Sequence, residues 1–202
     1  MCRLIETIKC KDGRLFNLPF HQSRFNLAGK EIFGVTEETN LKDAIRIPPE
    51  CSTGLFRCRV IYSKNIEKIE FLQHEYRQVR SLKLVEDNKV DYRYKFASRQ
   101  YLEELFSRRG DCDDILIVKN GCITDSFTAN VVFYDGSRWW TPDTPLLAGT
   151  QRARLLHEGI IAACRITLSG LNKYKKAGLI NAMQDLNEMP VIGMKKIFPT
   201  TS

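Results

Sequence analysis

The sequence predicts an α+β fold, and three observations carry that reading. Asp12-Gly13, Asn120-Gly121 and Asp135-Gly136 are turn dipeptides, and each separates two β-prone runs. Helical apolar stripes are short and fall between those hairpins rather than alternating regularly with strands. A chain of 202 residues that is 43% hydrophobic can bury one core or two small ones.

In chain order, "RLIETIKCKDGRLFNL" reads as a hairpin about Asp12-Gly13. Pro19 then suits a first helical turn, and Phe20, Phe25 and Leu27 recur at roughly helical spacing. "NLKDAIRI" predicts a short helix that ends before Pro48-Pro49. "GLFRCRVIYS" alternates, with Phe56, Cys58, Val60 and Tyr62 on one face, and it pairs with "IEKIEFLQ". The polar stretch "KLVEDNK" predicts a linker, giving a small domain over 1–84, a linker over 85–91 and a β-rich domain over 92–202. "ASRQYLEELFSRRGD" places Tyr101, Leu102, Leu105 and Phe106 on one helical face ending at Gly110. A strand meander follows through "WWTP". A helix with Leu155, Leu156, Ile160, Ile161 and Ala163 on its stripe then begins at Gly149-Thr150, and two β-prone pieces close the chain.

The formal net charge of +7 comes from Lys and Arg spread along the chain. Such a surface could attract nucleic acid, but it carries no helix-turn-helix, zinc-finger or ribonucleoprotein motif, so a small anionic ligand is the expected partner. Seven cysteines without a CxxC pair argue against a complete disulfide framework and for a reducing compartment. No segment approaches 18 uninterrupted apolar residues, which predicts a cytoplasmic protein with no membrane or nucleic-acid partner. His21, His74 and His157 are scattered without metal-ligand spacing, so no metal is expected. Asp111, Asp113 and Asp114 read as a capped, solvated loop.

Two further features could carry chemistry. Gly149-Thr150 at a helix start is either an anion site, where backbone N–H groups and the helix dipole converge, or an ordinary helix N-terminus. Lys95, flanked by Tyr92, Tyr94 and Phe96, is either a partly buried nucleophilic amine or a solvated lysine beside a helix.

The order of these features resembles a known family. Gly121, Ile123, Asn130, Val131, Thr141, Pro142, Leu147, Gly149 and Arg152 match the pattern G-x-[VI]-x-E-x-x-x-x-N-[LIV]-[FV], then x-T-P, then L-x-G-x-x-R, of the class IV aminotransferases. His21 and Arg24 supply that family's H-x-x-R, and the resemblance covers the whole chain, which is shorter than typical members. It implies a fold-type IV enzyme dependent on pyridoxal 5′-phosphate (PLP), with a small N-terminal α+β domain, a C-terminal β-rich pseudo-barrel, and a homodimeric assembly.

The roles the resemblance implies fall on particular residues. Lys95 corresponds to the lysine that bonds the cofactor and shuttles protons. Arg24 corresponds to the arginine on the cofactor phosphate, and Gly149, Thr150 and Gln151 to the helix-start loop that completes the phosphate cup. Asp125 stands where the family has Glu, the carboxylate that pairs with the pyridine nitrogen and keeps the ring an electron sink. Asn181 and Ala182 match the N-A-[LM] triplet of aminodeoxychorismate lyases, where aminotransferases carry S-G-T. Arg99 likewise matches the lyase K-x-x-x-R, and Gln100 stands where branched-chain aminotransferases have Tyr. These details imply a lyase converting 4-amino-4-deoxychorismate, a small carboxylate substrate, to 4-aminobenzoate and pyruvate. The alternatives are an aminotransferase of branched-chain or other small amino acids, and a protein that keeps only the fold.

Overall fold

Backbone handedness fixes the first hairpin. Asp12 and Gly13 both take positive φ, 48° and 70°, the type I′ geometry whose twist matches the flanking strands. The computed structural model describes residues 2–37 and 39–199, in two units: residues up to Tyr76 with Tyr94–Ser98, and Arg77–Arg93 with Arg99 onward.

In the first unit, β1 (Leu4–Lys11), β2 (Arg14–Leu15), β3 (Leu55–Tyr62) and β4 (Ile66–Gln73) form an antiparallel sheet in the order β2-β1-β3-β4. Helix α1 (Leu18–Phe33) starts with Pro19 in its first turn and stops at Gly34, which takes φ 66°. A short α2 (Leu41–Ala44) follows, with Asn40 accepting from the Lys42 N–H as its cap. The predicted α1 stripe needs correction: Leu27 is 56% exposed, and the buried positions are His21, Phe25, Ala28 and Gly29. Phe25 and Ala28 pack on Leu4, Ile8, Cys58, Val60 and Tyr62 of the sheet. The true helical face therefore carries a histidine into the core, and that histidine needs a polar partner.

The second unit contains β5 (Leu82–Glu86), α3 (Gln100–Ser107), β6 (Asp114–Lys119), β7 (Cys122–Ser126), β8 (Asn130–Tyr134), β9 (Trp139–Pro142), α4 (Thr150–His157), β10 (Ile161–Cys164), β11 (Lys176–Ile180), β12 (Val191–Gly193) and β13 (Ile197–Phe198). Its strands run β10-β9-β8-β7-β6-β5-β13, and β11 pairs with both β8 and β12. Val131 and Phe133 of β8 face one core with Leu116, Ile123 and Leu179, while Val132 faces another with Leu155, Ile161 and Ile180. A strand buried on both faces reads as the unbroken apolar run "NVVF".

Three sequence expectations change here. The polar stretch read as a linker is strand through Glu86, hydrogen-bonded in parallel to β6, and the chain divides after Tyr76 instead. The helix expected to run through Ala163 ends at His157, because Gly159 turns left-handed at φ 68° and Ile161–Cys164 pairs in parallel with β9. Asp114 is buried rather than solvated and accepts from the Ile115 and Phe127 N–H groups. All seven cysteines are free thiols, with Cys10, Cys51 and Cys58 buried. Among the described residues no helix is long and apolar enough to cross a membrane.

Candidate active site

In the first unit the site begins with the carboxylate of Glu6, fully buried on β1. It accepts from Arg24 Nε at 2.8 Å and Arg24 Nη2 at 2.6 Å, and His21 Nδ1 lies 2.5 Å away. His21 and Arg24 stand three residues apart on α1, so one helical face delivers both to the same acceptor. Burial pushes the Glu6 carboxyl up, but the charge of Arg24 and the hydrogen bonds from His21 and Arg24 outweigh it and hold the group at about 2. Burial moves His21 the other way, downward, against the pull of Glu6, and the charges of Arg24 and Lys95 add to that fall. A neutral His21 therefore donates from Nδ1 to an ionised Glu6.

Lys95 belongs to this unit, not to the C-terminal domain the sequence suggested. The reason is backbone pairing: the Ile5 N–H donates to the Lys95 carbonyl at 2.9 Å, the Ala97 N–H to the Arg3 carbonyl at 2.9 Å, and Leu4 bridges Phe96. Segment 94–98 thus lies along β1, one residue from Glu6, with Tyr94 and Phe96 packed on the unit's core.

In the second unit, β7 and β8 pair at one register position, Asp125 opposite Asn130. Asp125 is buried; its Oδ1 accepts from Asn130 Nδ2 at 2.6 Å and its Oδ2 from the Leu146 and Leu147 N–H groups at 2.7 and 3.0 Å. Asn130 Nδ2 also donates to the Leu147 carbonyl at 2.9 Å. The acid and amide that interrupt the strand thereby fold the loop that leads into α4. Gly149, the residue before α4, lies against the Asn130 amide, and the helix has no side-chain cap there. Thr150 and Gln151 are buried in its first turn. Arg152 donates from Nε to Thr141 Oγ1 at 3.2 Å and from Nη2 to the Pro142 carbonyl at 2.8 Å, tying the T-P dipeptide to the helix. Ile180 pairs with Asn130, so Asn181 and Ala182 leave β11 beside that residue; the Asn181 side chain accepts from the Met183 N–H at 2.9 Å and closes the turn.

The predicted residues therefore gather in two sets, Arg24 with Lys95 along β1, and Asp125, Gly149, Thr150, Gln151, Asn181 and Ala182 about Asn130. Glu6 and Asn130 were not singled out as site residues by sequence. The available signal for Glu6 was one acid in the apolar strand "LIETI"; for Asn130 it was an amide opening "NVVF".

Burial dominates Asp125: it raises the carboxyl to about 6, against hydrogen bonds from Leu147, Asn130 and Leu146 and the charge of Arg152. A group raised on folding contributes stability below its unfolded value and loses it as pH climbs through the folded value. The stability of the native protein relative to Asp125→Asn should therefore fall by up to about 3 kcal/mol between pH 4 and pH 7. Urea unfolding of both proteins across that range checks it; a flat or rising difference would contradict the assignment.

Comparison with known proteins agrees with this architecture. The family description Amino-transferase class IV matches residues 3–191. An uncharacterized protein of Haemophilus influenzae strain Rd is 35% identical over 188 residues, which cover 92% of this chain and 100% of that one. A solved structure from Haemophilus somnus 129PT, described provisionally as a 4-amino-4-deoxychorismate lyase, is 32% identical with a TM-score of 0.87 and covers 92% of this chain and 98% of its own. The PLP-bound form of a hypothetical aminotransferase from Mycobacterium tuberculosis shares the fold at 16% identity and a TM-score of 0.75, covering 94% of this chain and 80% of that one. The chain is an enzyme of the class IV aminotransferase family, a family of PLP enzymes.

Proposed function

We propose that this enzyme is a PLP-dependent lyase that converts 4-amino-4-deoxychorismate to 4-aminobenzoate and pyruvate in the cytoplasm. The observation that carries the reading is the 32% identity, over 92% of the chain, with the Haemophilus somnus protein provisionally given that activity. Two local features support it. The Asn181-Ala182-Met183 turn follows directly from the strand paired with Asn130. Arg99 stacks on the Phe127 ring at 4.4 Å and donates to the Phe127 carbonyl, which puts a guanidinium on the turn just after Asp125.

The residues fit the cofactor by the chemistry of their donors. The start of α4 at Gly149–Gln151, where backbone N–H groups and the helix dipole converge, suits a phosphate, and Arg24 supplies a guanidinium. Asp125 has three donors on its two oxygens, so one lone-pair site of the carboxylate remains to accept from a pyridinium N–H. When bound, PLP supplies an electron sink for the negative charge left on the substrate carbon. Lys95 Nζ takes the ring proton from the carbon bearing the amino group, and the electrons left there complete the aromatic ring as the neighbouring ring C–O bond breaks. Lys95 in its acid form delivers the proton to the methylene carbon of the departing enolpyruvate, giving pyruvate. Asp125, with its carboxyl near 6, stays mostly ionised at neutral pH and holds the negative charge that favours a protonated ring nitrogen. The net charge of +7 draws a dicarboxylate substrate toward the protein.

Purified enzyme loaded with PLP should form 4-aminobenzoate and pyruvate in equal amounts from 4-amino-4-deoxychorismate. Absence of 4-aminobenzoate, with amino-group transfer from branched-chain or other small amino acids to 2-oxoglutarate, would replace the lyase reading with an aminotransferase.

A further inference from the structure

Glu6 performs a task that packing alone does not require. Its neighbours on the same face of β1, Leu4 and Ile8, are fully buried apolar residues, and an apolar side chain at position 6 would continue that surface. A buried ion pair contributes little over well-packed apolar replacements, because desolvation cancels much of its Coulomb energy. What a carboxylate supplies at this position is geometry. Its two oxygens bind the Nε–Nη2 edge of Arg24 as a fork, at 2.8 and 2.6 Å, and one of them also meets His21 Nδ1. A fork fixes the guanidinium plane, which a single point contact does not. The Nη1 end is then directed away from Glu6. Side-chain exposure follows the same direction: Glu6 keeps 1%, His21 none and Arg24 14%, so the clamp is buried more deeply than the guanidinium it holds.

We propose that Glu6 is a positioning residue for phosphate recognition: by locking the plane of Arg24 it makes the protein select phosphorylated pyridoxal over pyridoxal. The inference rests on the reading that Arg24 grips the cofactor phosphate. Gln at position 6 cannot reproduce the clamp, since both Glu6 oxygens accept and an amide would turn its NH2 toward Arg24 or His21.

The test is absorption titration of the apoprotein with PLP and, separately, with pyridoxal. Glu6→Gln should weaken PLP binding about tenfold, the loss of roughly one charge-assisted hydrogen bond, and leave pyridoxal binding unchanged. Arg24→Lys keeps a cation beside Glu6 but removes the fork; it should show the same selective loss and provides the reading if Glu6→Gln does not fold. Equal weakening of both ligands, or of neither, would overturn the proposal and leave Glu6 a fold residue. Arg24→Ala separates the two levels. If it abolishes the preference for PLP while Glu6→Gln and Arg24→Lys retain it, Arg24 binds phosphate and Glu6 does not position it. If Arg24→Ala retains the preference, the phosphate reading of Arg24 falls.

Discussion

Lys95→Ala is expected to reduce 4-aminobenzoate formation at least about a thousandfold, the scale on which a positioned acid–base group acts, while leaving the protein folded. Both expectations come from how Lys95 is held. Its backbone carbonyl accepts from Ile5, and the adjoining residues are fastened by the Ala97 N–H to the Arg3 carbonyl and by the Leu4–Phe96 bridge. Alanine keeps every one of those main-chain bonds, so segment 94–98 should stay on β1. The side chain is half-buried and lies close enough to His21 for its charge to disfavour protonation of that ring. Its removal deletes the one amine that the proposed proton transfers use. Thermal unfolding within a few degrees of the native protein, together with collapse of turnover, is the expected pair of results. Turnover within tenfold of native would remove Lys95 from the chemistry.

The fold was legible wherever local chemistry decides it. Asp12-Gly13 and Asn120-Gly121 take the positive φ pairs that their hairpins require, and no distant contact is needed to read them. Distant pairing decides the rest. Lys95 lies about ninety residues along the chain from Ile5, yet it joins the N-terminal unit because their backbones bond, and no feature of "DYRYKFASR" announces that partner. "KLVEDNK" looks like a linker by composition, but β6 alongside and the core contacts of Leu82 and Leu84 make its first half a strand. The site divides similarly. Motif order singled out Arg24, Asp125 and Gly149 as candidates, since each sits in a recognisable pattern. Glu6 escaped notice because its role depends on which strand the α1 helix covers, and α1 shows its true face only once His21 is known to be inside. The acid and amide of "CITDSFTANVVF" stood out as a break in a strand; that they fold the Leu146–Leu147 loop could not be read without the register that puts them opposite one another.

Gly149→Ala is the second large effect, expected to destabilise the protein by about 2–4 kcal/mol and to weaken PLP binding with it. Backbone strain is not the cause: at φ −68° and ψ 141°, alanine fits the residue's conformation. The cause is a collision, because a Cβ at this position would lie 1.9 Å from Asn130 Oδ1. Asn130 cannot step aside cheaply, since its Nδ2 is bonded to Asp125 Oδ1 at 2.6 Å and to the Leu147 carbonyl at 2.9 Å. Moving it would strip a donor from a buried carboxylate, and turning the amide over would aim its oxygen at two acceptors. The alternative is for Gly149 to retreat, which shifts the first turn of α4 and the N–H groups proposed to meet the phosphate. A double-mutant cycle distinguishes collision from a general intolerance of alanine. Asn130→Ala alone should be costly, as it removes both bonds, but it also clears the space for a methyl group at 149. The double variant should therefore cost at least about 1 kcal/mol less than the sum of the two single changes. Additive costs would show that Asn130 is not what excludes a side chain at the helix start.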